Sequence, residues 1–300
     1  MEIVDGHSHM YQTFAPSDRL KKSTRDIEGF DIQVLVKQMD ESCILRLQTM
    51  PQEMTRKRGE WLGSNELAAD IQRSAPERLV SFAAAEPVDG HDAFNRTRFL
   101  EVRQAIYEWK LNGLLLTPPY GHYYATDRQV YPFYEMAVEA RIPVYFHHSH
   151  QYGDARDCPL KYARVSILDD LIIDFPDLRF NVEHMGYPWT EELLSMMSRS
   201  PNVYTDIAMF VQPYGMGVGR HLMLARNLGM ARDYGVLDRV FYGSDYVGES
   251  VDEYIHLVQR EIAYLEHDLN RDMERLGYPP LTREEMEGLM SRNVLKLWQG

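Results

Sequence analysis

The chain has 300 residues, of which 44% are hydrophobic and 26% are charged, and its formal net charge is -13. These values are typical of a globular protein that folds as one large α/β barrel or as two ordinary domains. The acidic balance, without any basic block, argues against nucleic acid or an anionic membrane surface as a partner.

The cysteine content and the apolar runs indicate the cellular compartment of the protein. Cys43 and Cys158 are the only cysteines and form no CxxC pair, so neither a disulfide framework nor a thiolate metal site is predicted. The N-terminal residues show no signal-peptide pattern, and no apolar run approaches the roughly 18 residues that span a bilayer. We therefore expect a cytoplasmic protein.

Eight short apolar runs, rich in β-branched and aromatic residues, predict eight β-strands in chain order. They lie near residues 2–5, 43–47, 79–84, 113–117, 143–147, 178–184, 203–208 and 239–245.

Helical patterns with apolar residues at three- and four-residue spacing lie between these runs. Residues 64–74 are one example, with Ser64 as the predicted N-cap. Residues 282–298 close the chain, with Thr282 as the cap and Glu285 completing a capping box. Strands that alternate with helices predict parallel β-α units, and eight such units predict a single (β/α)8 TIM barrel over residues 1–300.

The extra length of the chain lies in long loops that follow strands, at about residues 11–29, 50–63 and 118–127. Loops after strands lie over the C-terminal face of a barrel, where barrel enzymes place their active sites. A doubly wound open sheet is the competing architecture. It would require a glycine-rich phosphate turn after the first strand, and the residues there read "DGHSHM" instead.

Metal-compatible side chains end four of the predicted strands. His7 and His9 lie two residues apart at the end of the first strand, so both can project to one side. His147, His184 and Asp245 end the fifth, sixth and eighth strands. Each alone is compatible with a structural role, but in a barrel the strand ends converge, which favours a shared metal site.

Imidazole and carboxylate ligands suit a divalent metal such as Zn(II), with Mn(II) as the alternative. A catalytic metal keeps one position open and lowers the pKa of a bound water to about 7. Asp245 can bind the metal, accept the proton of that water, or do both. One of the four histidines can remain free of the metal and transfer protons.

These motifs resemble the amidohydrolase superfamily, and especially its branch of aminocarboxymuconate-semialdehyde and resorcylate-type decarboxylases. The segments "VDGHSHM", "PVYFHHS", "FNVEHMG", "VYTDIA", "FYGSDY" and "SRNVLKLW" follow one another in the order of that family. The resemblance implies a metal-binding barrel with His7, His9, His147 and Asp245 as ligands. It also implies that Asp245 accepts a proton and that His184 polarises water or transfers a proton beside the metal.

The fourth strand departs from the pattern of the binuclear relatives, which use a carbamylated lysine there. Residues 112–119 read "NGLLLTPP", and Lys110 precedes the strand. We therefore expect one metal ion.

Further residues around the predicted site have two interpretations each. His150 contacts substrate or belongs to a polar loop, and Trp189 is placed to cover a flat substrate. Tyr120 belongs to an aromatic loop that forms either a pocket wall or an oligomer contact. Arg46 binds a substrate carboxylate or forms a salt bridge, and Asp206 supports a histidine or is a turn residue.

Three functions are compatible with the predicted barrel and its site residues. The first is metal-dependent hydrolysis of a small amide, ester or lactone, and the second is non-oxidative decarboxylation of an aromatic or muconate-like acid. The third is a barrel that binds a small ligand without catalysis. The expected substrate is small and carboxylated or cyclic, and a homodimer is compatible with the aromatic loop.

Overall fold

The computed structural model describes residues 1–149, 156–211 and 219–299. Within them, short strands alternate with helices along the chain, as the apolar runs predict. The strands are β1 (Ile3–Asp5), β2 (His9–Met10), β3 (Phe14–Pro16), β4 (Ile44–Thr49), β5 (Gln52–Met54), β6 (Glu60–Leu62), β7 (Leu79–Ser81), β8 (Ala83–Ala84), β9 (Leu114–Leu116), β10 (Val144–Phe146), β11 (Phe180–Val182), β12 (Val203–Asp206), β13 (Val240–Phe241) and β14 (Val247–Gly248).

The helices of the described residues vary from one turn to almost five turns. They are α1 (Ile32–Glu41), α2 (Thr55–Arg58), α3 (Asn65–Ser74), α4 (Arg96–Tyr107), α5 (Pro118–Gly121), α6 (Tyr131–Ala140), α7 (Asp169–Asp174), α8 (Thr190–Arg199), α9 (Arg220–Asp233), α10 (Val251–His267), α11 (Leu269–Arg275), α12 (Arg283–Glu287) and α13 (Asn293–Gln299). A π-helical turn at Gly288–Arg292 joins the last two. No described helix is both long and apolar enough to cross a bilayer.

The parallel strands form a closed (β/α)8 barrel, which confirms the predicted fold. One run of strands is β1-β4-β7, and the other is β8-β9-β10-β11-β12-β13. β7 and β8 are two parts of the third barrel strand, interrupted at Phe82, whose N–H donates to the carbonyl of Thr49 at 3.2 Å. The seam between the first and eighth strands closes where Gly6 N–H donates to the carbonyl of Tyr242 at 3.1 Å and β2 pairs with β14.

Two apolar layers hold this arrangement together. The larger one lies between the strands and the surrounding helices. The smaller one fills the barrel and contains Val4, Phe82, Tyr145 and Phe241, together with Leu297 of α13. Burial of this apolar surface is the main stabilising contribution to such a barrel, and α13 covers the end of the barrel opposite the strand ends.

Local signals at helix ends are also confirmed. The hydroxyl of Ser64 accepts a hydrogen bond from Leu67 N–H at 3.1 Å, which begins α3. Thr282 and Glu285 form the predicted capping box at the start of α12, with contacts of 2.8 and 3.2 Å. These bonds satisfy N–H groups that the first turn of a helix leaves without partners.

The long loops after the first two barrel strands contain structure of their own. β3 comes from the first loop, β5 and β6 come from the second, and they pair in an antiparallel sheet of order β3-β6-β5. This small sheet is joined to the barrel beyond the ends of β2 and β4. From the sequence, both regions are predicted to be loops.

Candidate metal centre

The structure brings the predicted metal ligands together at the C-terminal ends of the barrel strands. His7 lies between β1 and β2, His147 directly follows β10, and His184 follows β11. His184 and Asp245 both have left-handed backbone conformations, with φ of 56° and 52°. Such angles are uncommon for residues other than glycine, and strained backbone of this kind clusters at functional sites.

The first ligand group consists of His7, His9 and Asp245. Asp245 Oδ1 lies 3.4 Å from His7 Nε2 and 3.7 Å from His9 Nε2. The His7 side chain is fully buried, whereas that of Asp245 is 22% exposed. The group therefore has one side enclosed by protein and one side open to solvent.

The second ligand group consists of His147, Glu183 and His184. Glu183 Oε2 lies 2.7 Å from His147 Nδ1 and 3.9 Å from His184 Nε2. The two groups adjoin, because the rings of His7 and His184 are 5.1 Å apart and those of His147 and His184 are 5.0 Å apart. His147 thus lies beside His184 and Glu183, next to the first group.

Hydrogen bonds to the Nδ1 atoms orient three of the imidazoles. His7 Nδ1 lies 3.1 Å from Asp206 Oδ2, and His9 Nδ1 lies 2.7 Å from the carbonyl of Met50. His184 Nδ1 lies 3.3 Å from the carbonyl of Ala208. Because a carbonyl or carboxylate only accepts, each Nδ1 must carry a proton, and in the neutral imidazole each Nε2 presents a lone pair. This is the arrangement that metal-binding histidines adopt.

The buried carboxylates set the charges of the site. Burial opposes a charge on His7, but the carboxylates of Glu183 and Asp206 outweigh it and raise the His7 pKa to about 10. Burial and then the adjacent charge of His7 lower the pKa of His9 to about 4. Although burial favours its neutral form, the neighbouring imidazoles lower the pKa of Glu183 to about 2. The buried carboxylate of Glu183 thus favours positive charge beside the His7 ring.

Two buried polar atoms indicate that the residues fit a metal ion. His7 Nε2 and Glu183 Oε1 make no hydrogen bond with any described residue. Buried polar atoms in folded proteins almost always have a partner, so an exception requires an explanation. The combinations His7–His184–Asp245 and His147–Glu183–His184 each place three potential ligand atoms within 4.8 Å of one another. A divalent cation would satisfy both atoms.

The eighth strand approaches His7 so closely that a side chain cannot be accommodated between them. A Cβ atom on Gly243 would lie 2.5 Å from His7 Cβ. The glycine in "YGSD" therefore allows the first and eighth strands to approach until Asp245 N–H donates to the carbonyl of His7 at 2.8 Å.

The predicted substrate-contact residues have different outcomes. Tyr120 lies beside the site, with its ring 5.4 Å from that of His147. Trp189 is half-buried and packs against the outer apolar layer at the start of α8. Arg46 lies opposite Val4 in the first half of β4, toward the other end of the barrel, and is therefore not in the ligand cluster. His150 lies outside the described residues.

Two residues complete the site beyond the predicted ligands. Asp206 has the supporting role that the sequence left open, because it contacts His7 and also accepts from His184 N–H at 3.0 Å. Glu183 was not predicted. Its signal was a charged residue next to His184 within an otherwise apolar strand, in "FNVEHMG".

Comparisons with known proteins agree with this fold. The sequence model of the amidohydrolase family matches residues 5–299. No curated protein matches the chain. A TIM-barrel protein from Bordetella bronchiseptica is similar in structure, with 19% identity, a TM-score of 0.65, and coverage of 99% of this chain and 98% of that one.

Two other similar structures carry names that describe different reactions. One is a probable 2-pyrone-4,6-dicarboxylic acid hydrolase from Acinetobacter baumannii, with 14% identity, a TM-score of 0.61 and full coverage of both chains. The other is a dihydroxybenzoic acid decarboxylase from Polaromonas with bound manganese and 2-nitroresorcinol. It has 16% identity, a TM-score of 0.61, and coverage of 99% of this chain and 97% of that one.

Proposed function

This chain belongs to the amidohydrolase family, and we propose that it is a metal-dependent hydrolase of a small carboxylated or cyclic ester, lactone or amide. It is an enzyme of the amidohydrolase superfamily, whose members generally depend on divalent metal ions. Zn(II) is the proposed metal, with Mn(II) as the alternative.

One observation carries the proposal, namely the convergence of three ligand atoms on a partly open position. Asp245 Oδ1 lies 3.4 Å from His7 Nε2 and 3.7 Å from His9 Nε2. Two of these side chains are enclosed and the third is partly exposed. Hydrolysis requires such a position, because both water and a carbonyl group must reach the ligands.

The chain's own residues have distinct roles in this reaction. When bound, the metal ion supplies Lewis acidity, which polarises a carbonyl and acidifies water. Asp245 has a second carboxylate oxygen and partial solvent contact, so it can accept the proton of the attacking water. His184 lies with His7 and Asp245 in one group of potential ligand atoms, and the lone pair of its Nε2 can accept and pass on a proton beside the metal.

Residues at the mouth support a flat, acidic substrate. Tyr120 lies beside His147, and the guanidinium of Arg58 lies 5.7 Å from the centroid of the Tyr120 ring. Arg58 also pairs with Glu60 at 2.9 Å, so only part of its charge is available to a ligand. An aromatic surface next to a cation suits a ring that carries a carboxylate.

Decarboxylation of an aromatic acid is the second candidate function. The observation that favours it is the recurrence of decarboxylases of hydroxylated benzoates among the similar solved structures. The ligand set serves both reactions, since a carboxylate can occupy the same open position as a carbonyl. The difference lies in where the proton goes: to the leaving group in hydrolysis, and to a carbon atom in decarboxylation.

Isotope labelling distinguishes the two reactions. The metal-loaded protein is incubated with panels of lactones, esters, amides and hydroxybenzoates in ¹⁸O-labelled water, and in parallel in deuterium oxide. Hydrolysis places ¹⁸O in the product, whereas decarboxylation releases carbon dioxide and places deuterium on carbon. Product with deuterium on carbon and no ¹⁸O would reverse the proposed order.

Variants test whether the same residues act. Asp245→Asn and His184→Asn are expected to lower turnover by 100-fold or more, in the range found for positioned acid-base groups. Asp233→Asn and His256→Asn are matched controls at exposed positions and should retain full turnover. Unchanged turnover and ligand affinity in the site variants would favour the barrel that only binds a ligand.

A further inference from the structure

We propose that Glu86 is a positioning residue whose protonated carboxyl group holds α2 against α5 at the mouth of the barrel. These two helices carry Arg58 and Tyr120, which lie together beside His147. The role of this pair in binding a substrate rests on the function proposed above. The contact between α2 and α5 does not depend on that function, so the two can be tested separately.

Glu86 caps the first turn of α2 from a neighbouring loop. It lies after β8, at the end of the third barrel strand, whereas α2 follows the second barrel strand. Glu86 Oε2 accepts a hydrogen bond from Arg56 N–H at 2.5 Å. Met54, which precedes the helix, provides no side-chain cap. Glu86 therefore satisfies one of the N–H groups that the first turn of a helix leaves without a partner.

Arg56 connects α2 to α5. Its guanidinium donates to the carbonyl of Gly121 at 2.5 Å and to that of His122 at 3.0 Å, at the end of α5. It also donates to the carbonyl of Asp89 at 2.9 Å and pairs with the carboxylate of Asp92. The side chain of Arg56 thus joins α2 to α5 and to the loop that follows the third barrel strand.

A second buried carboxyl group lies against Glu86. Glu53 of β5 is 1% exposed, as is Glu86, and Glu53 Oε2 accepts from Glu86 N–H at 2.8 Å. Glu53 Oε1 accepts from the Thr55 hydroxyl at 2.6 Å and from Arg98 Nε at 2.7 Å. Thr55 Oγ1 also lies 3.4 Å from Glu86 Oε2. Because the single hydroxyl proton of Thr55 is directed to Glu53, its oxygen can accept a proton from Glu86.

The surroundings of Glu86 favour its neutral form. Its Oε1 is buried and makes no hydrogen bond with a described residue. A Cβ atom on Gly121 would lie 3.5 Å from this oxygen and 2.5 Å from the Tyr123 ring, so backbone and an aromatic ring enclose it. The guanidinium of Arg98 contacts Glu53 instead. A buried charge without a partner is costly, and burial, followed by the charge of Glu53, raises the pKa of Glu86 to about 8.

The titratable and charged groups around Glu86 come from the loops and helices packed against it. Burial raises the pKa of Tyr123 well above its usual range, so Tyr123 remains neutral. Burial also raises the pKa of Glu53, but Arg98 opposes this shift, so Glu86 is the carboxyl that holds the proton. The groups are Glu53, Arg56, Asp89, Asp92, Arg98 and Tyr123.

Loss of this proton places a second negative charge beside Glu53. The pKa of Glu86 is about 8 when α2 and α5 are in contact, whereas the ordinary value of a glutamate is 4.5. The contact is therefore fully favoured below about pH 4.5 and weakens by up to about tenfold per pH unit until about pH 8. We expect α2 to separate from α5 more often as the pH rises, which moves Arg58 away from Tyr120.

Hydrogen exchange followed by mass spectrometry tests this proposal without a substrate. The protein, purified without chelator, is labelled at pH 6, 7, 8 and 9, and the rates are corrected for the intrinsic pH dependence of amide exchange. In peptides that cover residues 52–62 and 116–124, we expect the corrected rate to rise by up to about tenfold per pH unit between pH 6 and 8 and then to level off. Peptides from α8 should not show this trend.

Glu86→Gln keeps an oxygen that can accept from Arg56 N–H but has no proton to lose at these pH values. The corrected exchange of its two segments should therefore be independent of pH. Glu135→Gln, at an exposed position on α6, is the matched control and should follow the natural protein. If circular dichroism shows that Glu86→Gln does not fold, infrared spectroscopy of the natural protein provides a second measurement. The carbonyl band of a protonated carboxylic acid should then be lost between pH 7 and 9.

Several results would overturn the role of Glu86. They are a corrected rate that changes by less than about twofold across the series, the same trend in folded Glu86→Gln, an equal trend in α8, and an infrared band that does not change. None of these results depends on the metal-dependent reaction.

Kinetics test the link to substrate binding. For a substrate that the isotope-labelled panels identify, the KM of the natural protein relative to that of Glu86→Gln should rise over the same pH range, while the ratio of their kcat values stays constant. A constant KM ratio together with the expected exchange would leave the contact between the helices in place and overturn the part of Arg58 and Tyr120 in binding. Failure to find any substrate would count against the proposed function and leave the exchange result unaffected.

Discussion

Asp206 is the residue on which most of the site's hydrogen bonds converge. Its Oδ2 lies 3.1 Å from His7 Nδ1 and accepts from the Asn181 side-chain amide at 2.7 Å. Its Oδ1 accepts from the N–H groups of His184 and Ala208 at 3.0 and 3.2 Å. All four partners are donors, so both oxygens of the carboxylate are required.

We predict that Asp206→Asn weakens metal binding by about 10- to 100-fold, the usual effect of removing a group that orients a metal ligand. An asparagine has one accepting oxygen, so two of the four donors must then face an NH₂ group. The measurement is a competition titration against a chromogenic chelator. Asp233→Asn, at an exposed position, controls for the change of charge.

The prediction would be contradicted by an Asp206→Asn protein that binds metal with the affinity of the natural protein. A variant that loses all secondary structure gives no information on metal binding, so circular dichroism accompanies the titration. Asn181→Ala provides a milder second variant. It removes one donor to Asp206 and should weaken binding less than Asp206→Asn does.

Glu86 is a buried glutamate outside the candidate metal site. Its side chain accepts from Arg56 N–H at 2.5 Å, and Glu86 N–H donates to Glu53 Oε2 at 2.8 Å. Burial, followed by the charge of Glu53, raises the pKa of Glu86 to about 8. Its ordinary value in an unfolded chain is about 4.5. At neutral pH the folded protein therefore holds a proton on Glu86, whereas the unfolded chain has already released it.

This difference makes the stability depend on pH with a defined sign. Because the pKa of Glu86 is raised in the folded state, the stabilising contribution of Glu86 to the free energy of unfolding is fully present below about pH 4.5. This contribution is lost as the pH rises toward 8. We predict that Glu86→Gln gains stability relative to the natural protein over this window, by up to about 1.4 kcal/mol per pH unit. Above pH 8 the difference should level off.

Denaturant unfolding of the metal-free proteins at pH 5, 6, 7 and 8 provides the measurement. Glu60→Gln, at a partly exposed glutamate, should show a much smaller trend. A constant difference between Glu86→Gln and the natural protein across the series would show that Glu86 has an ordinary pKa. Such a result would rule out the protonated carboxyl.

Glu183 and Asp206 show the limit of sequence reasoning at the residue scale. The sequence predicts His7, His9 and Asp245 as metal ligands because strand ends in a barrel converge, and Asp245 Oδ1 lies 3.4 and 3.7 Å from the Nε2 atoms of the two histidines. The role of Glu183 depends on which way a single buried carboxylate points. Strand alternation does not determine this direction once the backbone enters the left-handed region, as it does at His184.

At the scale of elements, the C-terminal segment closes the barrel on the side opposite the candidate metal site. Leu297 is fully buried with Val4 and Phe241 in the inner apolar layer. The indole N–H of Trp298 donates to the Tyr145 hydroxyl at 3.2 Å, and Arg179 donates to the carbonyl of Leu297. α13 is therefore a structural element of the barrel interior.

Leu297→Ala is predicted to lower the free energy of unfolding by about 2–5 kcal/mol, because it removes buried methyl groups and leaves a cavity. Metal affinity in the folded variant should change less than twofold, since the site lies at the other end of the barrel. Denaturant unfolding and the chelator competition measure the two quantities. Lys296→Ala, on the exposed side of α13, should change stability by no more than about 0.5 kcal/mol.

A twofold or smaller change in the unfolding equilibrium constant of Leu297→Ala would contradict this division of roles. A large loss of metal affinity in the folded variant would contradict it as well. The first outcome would mean that α13 can rearrange to fill the space. The second would mean that packing at the bottom of the barrel positions the ligands at its top.

Elements differ in how well the sequence predicts them. The eight barrel strands are found where short apolar runs predicted them, because a strand buried on both faces requires such a run. The sheet β3-β6-β5 was missed since its strands have only three residues each and β3 pairs with β6 across a large sequence separation. Its residues, such as Glu60 and Pro16, carry no local strand signal, so only the tertiary pairing defines it.

At the scale of the whole molecule, the candidate metal site lies on the seam that closes the barrel. The first ligand group combines His7 and His9 from the beginning of the chain with Asp245 from near its end. The same seam is held by backbone hydrogen bonds between β2 and β14 and by Asp245 N–H donating to the carbonyl of His7. A metal ion there would cross-link segments more than 230 residues apart in the chain.

Removal of the metal is therefore predicted to destabilise the entire barrel. Binding to the folded state alone contributes RT ln(1 + [L]/Kd), which is about 4 kcal/mol when free metal exceeds Kd by 1,000-fold. In a chain of this length, such a loss corresponds to a decrease in Tm of roughly 6 °C. Thermal unfolding of the metal-loaded and chelator-treated proteins, followed by circular dichroism, measures the difference.

The His7→Ala, His9→Ala double variant should show almost no response to metal or chelator. An equal Tm with and without metal in the natural protein would mean that the seam is already closed by its backbone pairing and gains nothing from the ion.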